Sequence, residues 1–280
     1  MKNIFLAFVL ALLSTTAFAA KSATVYPFEA KISGHGRQTI LFIPGFTCSG
    51  DEWNETRARY EKDFRCITLT MAGFAGVPAQ PGASFANWEK AIAAYIKEQK
   101  IDQPIIVGHS MGGGLALALA ADYPELCGKI VVVDALPCLM AITNPAFKVK
   151  ENNDCSPVVK QFTVISDEQF YKMQKGGVGR LCADTSRQAQ IVSWSMKSDR
   201  ATFAQMFCDF SNTDLREKIA NIKCPNLILL EAYFVNLMPQ IAAQYKKLDG
   251  ANLKYATKGL HFIMYDDTDW YNQQLDSFIH

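Results

Sequence analysis

Residues 108–113 read Gly-His-Ser-Met-Gly-Gly, directly after the apolar run Pro104-Ile105-Ile106-Val107 and just before the helix-forming run 115–121. That order predicts a strand, a tight turn with Ser110 at its apex, and a helix. The turn is sharp, so a side chain at 108 or 112 would collide with the neighbouring strand or helix, and glycine is needed at both. Ser110 should then project its hydroxyl from the end of a sheet, above a helix N-terminus that favours developing negative charge. The alternative is a Gly-rich helix start that carries no chemistry.

At 280 residues the chain has room for one large domain with an insertion. Its 28 Lys and Arg nearly balance 27 Asp and Glu, so no basic footprint argues for nucleic acid and no acidic excess for disorder. A small, uncharged or weakly charged partner is expected. Residues 1–20 stand apart: Lys2, an unbroken apolar run over 4–13, and Ala17-Phe18-Ala19 form the pattern of a secretory leader cleaved after Ala19 or Ala20. That run is too short for a bilayer, which takes about 20 apolar residues, so no membrane span is expected after cleavage. The mature protein is expected in a periplasm or outside the cell.

Eight cysteines follow the leader: Cys48, Cys66, Cys127, Cys138, Cys155, Cys182, Cys208 and Cys224. An even count in an oxidising compartment permits disulfides, and buried free thiols fit equally well. No Cys-x-x-Cys and no paired histidines at ligand spacing occur, so no metal site is expected.

Alternation over 21–36, ending in Gly34-His35-Gly36, reads as an edge hairpin. Short, wholly apolar runs follow at 39–43, 66–69, 105–107 and 130–133, with helical patterns at 86–99 and 115–122 between them. Strands that are apolar on both faces mark a parallel sheet covered by helices. After Asp134 the rhythm breaks for about ninety residues, and the stretches 167–175, 186–197 and 200–210 read as helices. Residues 136–222 are therefore expected to form a helical cap over the C-terminal edge of the sheet, with the core built from 21–135 and 223–280. In the cap, Phe162, Phe170, Tyr171, Trp194, Met206 and Phe207 could line an acyl pocket or form the cap's own core. Gly176-Gly177-Val178-Gly179 follows no strand and reads as a flexible turn rather than a phosphate loop. The sheet resumes at 226–230 and 253–256, and a helix over 269–279 closes the chain.

A serine hydroxyl is a weak nucleophile until a base takes its proton. Four histidines are available: His35 in the early turn, His109 in the elbow, His280 at the end, and His261 in Lys258-Gly259-Leu260-His261-Phe262 after the last strand. His261 would sit at the same sheet edge as Ser110 and is the expected general base. A tetrahedral intermediate needs two aimed N–H donors. Met111, next to the serine, supplies one, and Phe46 in Ile43-Pro44-Gly45-Phe46 the other.

These pieces together resemble the α/β-hydrolase superfamily. The likeness rests on the Pro-Gly-Phe turn, the loop Ala72-Gly73-Phe74-Ala75-Gly76, the Gly-His-Ser-Met-Gly-Gly elbow, Val133-Asp134-Ala135-Leu136-Pro137 before the helical stretch, and His261-Phe262-Ile263, in this order. It implies an α/β fold with a mostly parallel central sheet, flanking helices and a helical cap, and cofactor-free hydrolysis of an ester, thioester, lactone or amide through an acyl-enzyme. Similar hydrolases usually carry the triad acid just beyond the strand equivalent to 226–230. Here Glu231-Ala232-Tyr233-Phe234-Val235-Asn236 holds no aspartate. Asp134, at the end of the strand after the nucleophile helix, is the first candidate, since some relatives use that position; a loop-capping aspartate is the bland alternative. Glu231 is the second candidate. Asp266 and Asp267 lie too close to His261 and are expected to cap the last helix. The leading account is an exported serine esterase acting on a small acyl substrate. Its rivals are a peptidase or amidase on the same serine, and a binding protein that keeps the fold without catalysis.

Overall fold

A computed structural model describes residues 25–280, so the leader read at 1–20 lies outside the described residues. Seven strands form one sheet: β1 (Phe28–Ser33), β2 (Thr39–Ile43), β3 (Arg65–Met71), β4 (Ile105–His109), β5 (Lys129–Val133), β6 (Asn226–Leu230) and β7 (Leu253–Tyr255). Their spatial order is β1-β3-β2-β4-β5-β6-β7, and every pairing is parallel except β1 with β3. Alternate residues feed two cores: Leu41, Ile106 and Val132 pack on one side with Trp88 and Ile92, while Phe42, Val107 and Val133 pack on the other with Trp53 and Leu275. Burial on both faces explains why these strands read as unbroken apolar runs. The helix Met111–Asp122 is buried from Met111 through Ala121, which suits its all-round Gly, Ala and Leu surface.

The early hairpin does not form. β1 is an edge strand, but it pairs with β3 in the register Phe28↔Met71 to Ser33↔Cys66, and β3 separates it from β2. The chain leaves β1 by passing over the turn before β3. A Cβ on Gly34 would stand 2.2 Å from the Phe64 carbonyl oxygen, and one on Gly36 2.0 Å from that of Asp63. The glycines permit a close crossing rather than a tight reversal.

Between β5 and β6 the described chain forms four α-helices, Ser156–Val164, Asp167–Leu181, Thr185–Met196 and Arg200–Ser211, and no strand. The Gly176–Gly179 stretch is not a turn; it lies inside the second of these helices. A capping box at Ser166 and Gln169 starts that helix, and Phe170 and Val178 bury its inner face, which offsets glycine costs of about 1 kcal/mol each. One disulfide, Cys155–Cys208, joins the start of the first helix to the fourth; Cys48, Cys66, Cys127, Cys138, Cys182 and Cys224 are free thiols. This helical insertion is seated on the Ala72–Gly76 loop: Asp199 N–H donates to the Gly73 carbonyl at 2.8 Å, and Ala75 N–H to Ser198 Oγ at 3.0 Å.

Candidate active site

The elbow forms where the strand-to-helix pattern places it. Ser110 ends β4 with φ +54° and ψ −120°, a backbone conformation that L side chains rarely adopt, held by its N–H to the Val133 carbonyl at 2.9 Å. The flanking glycines are obligatory. A Cβ on Gly108 would lie 2.1 Å from the Gly112 carbonyl oxygen, and one on Gly112 2.3 Å from that of Ile43.

β5 ends next door in Asp134, also at positive φ, +48°, with its N–H on the Leu229 carbonyl at 2.7 Å. Its carboxylate is 1% exposed and accepts two hydrogen bonds: Oδ2 from His261 Nδ1 at 2.5 Å and Oδ1 from the Glu231 N–H at 2.7 Å. The segment after β6 therefore contributes a backbone donor to Asp134, and the Glu231 carboxyl forms no hydrogen bond with His261. Burial alone pulls the His261 pKa down, but the hydrogen bond and charge of Asp134 more than offset it and the net shift is upward. Among the described residues His261 Nε2 has no hydrogen-bond partner, and Ser110 and His261 line the same cavity.

That cavity encloses about 490 Å³. Phe46 lines it, and neither the Phe46 N–H nor the Met111 N–H, the latter at the first position of its helix, is hydrogen-bonded among the described residues. Two unused donors beside a strained serine are the arrangement a developing oxyanion needs. Of the aromatic and Met candidates read from the sequence, only Phe207 reaches the cavity. Phe162 and Phe170 stack on Phe203, Met206 and Trp194 are buried elsewhere, and Tyr171 is half exposed. The apolar wall comes instead from Leu136, Leu139, Val178, Leu181, Phe210 and Phe234.

A second acid and imidazole pair lies beneath the first, and the sequence reading missed it. Glu52 is fully buried; its Oε1 meets His109 Nδ1 at 2.8 Å and its Oε2 accepts the Gly45 N–H at 2.9 Å. His109 Nε2 donates to the His261 carbonyl at 3.1 Å. One buried pair thus ties together the Gly45-Phe46 turn, the elbow and the His261 loop. Asp266 and Asp267 do not cap the last helix. Asp266 accepts the N–H groups of Ala183, Asp184 and Leu260, joining the insertion to the His261 loop, and Asp267 accepts those of Thr257 and Lys258.

Residues 38–154 match the family model of the alpha/beta hydrolase fold. The matched stretch is that of an α/β-hydrolase, and the chain has the α/β-hydrolase fold. A hydrolase from Pseudomonas aeruginosa PA01 superposes with a TM-score of 0.76 at 16% identity, covering 90% of this chain and 94% of that one. The enol-lactonase from Burkholderia xenovorans LB400 gives 0.74 at 16% identity, covering 90% and 96%. In sequence, the chain is 23% identical over 228 residues to a pimeloyl-[acyl-carrier protein] methyl ester esterase of Wigglesworthia glossinidia brevipalpis, spanning 81% of this chain and 86% of the relative. The likeness of fold thus extends well beyond residues 38–154, to 90% of the chain.

Proposed function

We propose that this hydrolase is an exported serine esterase that cleaves small ester-type substrates, including thioesters or lactones, through an acyl-enzyme on Ser110. The observation that carries the reading is the 2.5 Å contact of His261 Nδ1 with buried Asp134, in the cavity that Ser110 and Phe46 also line. Ser110 Oγ attacks the acyl carbon while His261 Nε2 takes its proton, and the N–H groups of Phe46 and Met111 receive the oxyanion. Asp134 orients the imidazole and stabilises the imidazolium that forms. His261 then returns the proton to the leaving group, and water, activated by the same nitrogen, hydrolyses the acyl-enzyme. The mostly apolar wall suits the acyl body of such a substrate.

Export is supported by the leader pattern at 1–20 and by the Cys155–Cys208 disulfide, a bond that persists in oxidising compartments. The binding-protein reading drew its strength from a missing acid, and the contact of Asp134 with His261 supports catalysis over it. The test is labelling of the purified protein with a fluorophosphonate probe beside Ser110→Ala and His261→Ala. Labelling that depends on Ser110 and collapses without His261 is expected; a folded wild-type protein that takes no label overturns the reading.

A further inference from the structure

Asp134 and His261 are committed to each other and His109 is committed to Glu52, which leaves Glu231 as the one acidic side chain lining the cavity without a task. Its backbone N–H is fixed on Asp134 Oδ1, and its carboxyl has no hydrogen bond or ion pair among the described residues. No lysine or arginine lines the cavity. The rest of the wall presents five aromatic rings, Phe46, Phe207, Phe210, Phe234 and Phe262. A carboxylate without a hydrogen bond, in a cavity lined by rings and by no lysine or arginine, has the composition of an ammonium-binding site: the acid supplies the charge, and the ring quadrupoles attract the methyl or methylene shell around nitrogen.

We propose that Glu231 and these rings form an ammonium subsite, so that the substrates of the esterase read above carry a positively charged amine. The overall charge balance of the chain suggests an uncharged ligand, but the cavity is lined by two carboxyl groups and by no lysine or arginine. Anionic acyl groups would enter with no lysine or arginine to meet them and two carboxylates nearby. Burial, and then the charge of Asp134, push the Glu231 carboxyl up to about 7; Asp266 adds to this and His261 opposes it. The subsite is therefore fully charged only above neutrality.

The test uses choline and its uncharged isostere 3,3-dimethylbutanol, with binding measured by calorimetry on the intact protein at pH 8.5 and pH 5.5. Hydrolysis of the neutral ester p-nitrophenyl butyrate is followed in parallel. At pH 8.5 choline should bind about tenfold or more tightly than the isostere, a gap expected from a carboxylate and ring faces in a partly desolvated site. The gap should narrow at pH 5.5 and vanish at both pH values in Glu231→Gln. Equal affinities for the two compounds in the wild-type protein, or a choline preference that survives in Glu231→Gln, overturn the subsite. Loss of ester hydrolysis with the choline preference intact would instead overturn the esterase reading, because the binding arm does not depend on catalysis.

Discussion

Two carboxylate and imidazole pairs lie side by side in this protein, their rings 4.6 Å apart between centroids, and they do opposite things. Asp134 and Glu52 are both buried, and each meets its histidine at Nδ1, at 2.5 and 2.8 Å. The difference is at the far nitrogen. His109 Nε2 donates to the His261 carbonyl, while His261 Nε2 is without a partner among the described residues. A carbonyl oxygen only accepts, so His109 Nε2 carries the proton it gives to the His261 carbonyl, while Nδ1 is engaged with Glu52, which also receives the Gly45 N–H. A histidine held at both ring nitrogens has neither turned towards a substrate. The same pair of residue types is a strut in one place and a candidate proton shuttle in the other, and the count of uncommitted nitrogens separates them.

The sharpest way to break the comparison is to attack the shuttle. Asp134→Asn keeps the shape but turns the wrong hydrogen-bonding group towards Nδ1, and kcat should fall by about 10³–10⁴-fold. Steady-state turnover of p-nitrophenyl butyrate reads it, and near-normal kcat would remove Asp134 from the mechanism.

The strut should fail differently. In Glu52→Gln one carbonyl oxygen must choose between Gly45 and His109, and its amide faces donors instead of accepting from them. Unpairing a buried charge costs about 3–5 kcal/mol of stability, to be read by urea unfolding. The oxyanion turn and the His261 loop would lose their common anchor, and misplacement of about 1 Å is enough to cost about 10²-fold in kcat, with KM little changed. A KM defect without a kcat defect would mean that the pair shapes the cavity and leaves the reacting groups alone.

Pairwise coupling is the next, smaller effect. His109→Gln alone should also destabilise the fold, by leaving Glu52 with a charge and too few donors. The double variant Glu52→Gln/His109→Gln should cost less than the sum of the two, by about 1–3 kcal/mol, because two neutral amides are less mismatched than one amide facing a charge. Strict additivity would show that the two residues act independently, against the 2.8 Å contact.

The sheet edge that gathers Ser110, Asp134 and His261 was legible in the sequence, with Asp134 and Glu231 both open as the acid, and the strut was not, for a physical reason. Ser110, Asp134 and Phe46 each stand at the end of an apolar run, and a parallel sheet brings the ends of its strands to one edge, so local pattern was enough to place them together. β6 was read to the residue because it is buried on both faces. Glu52 sits in a polar loop and reads as a solvated charge. What buries it is a histidine 57 residues away, and no periodicity records that pairing. The failed hairpin has the same origin, since β1 looks local but pairs with β3, the strand after next in the chain. The Gly-rich stretch in the helix Asp167–Leu181 shows tertiary burial overriding propensity, through Phe170 and Val178.

The smallest expected effect is a shift in pH dependence, and it distinguishes the two histidines without disrupting either. The base must be neutral to take the serine proton, so kcat/KM should rise with pH as His261 deprotonates. Burial lowers the His261 pKa, but Asp134, then Glu231 and Glu52, raise it, so the ascending limb belongs above the ordinary histidine value. Replacing Glu231 with Gln removes one of the charges that favour the imidazolium, and the limb should move down in pH. The sign for stability runs the other way. A histidine whose folded pKa lies above its unfolded one adds stability that is complete below the unfolded pKa and is lost as pH rises through the folded one. Wild-type protein should therefore lose the contribution of the His261–Asp134 pair over the same interval in which it gains activity, and Asp134→Asn should lose that part of the pH dependence. A pH–rate limb that stays in place in Glu231→Gln would mean that the cavity carboxylate does not feel the shuttle. Titration of His261 followed by imidazole NMR settles which group the limb reports, because the limb and the His261 resonance should move together in Glu231→Gln.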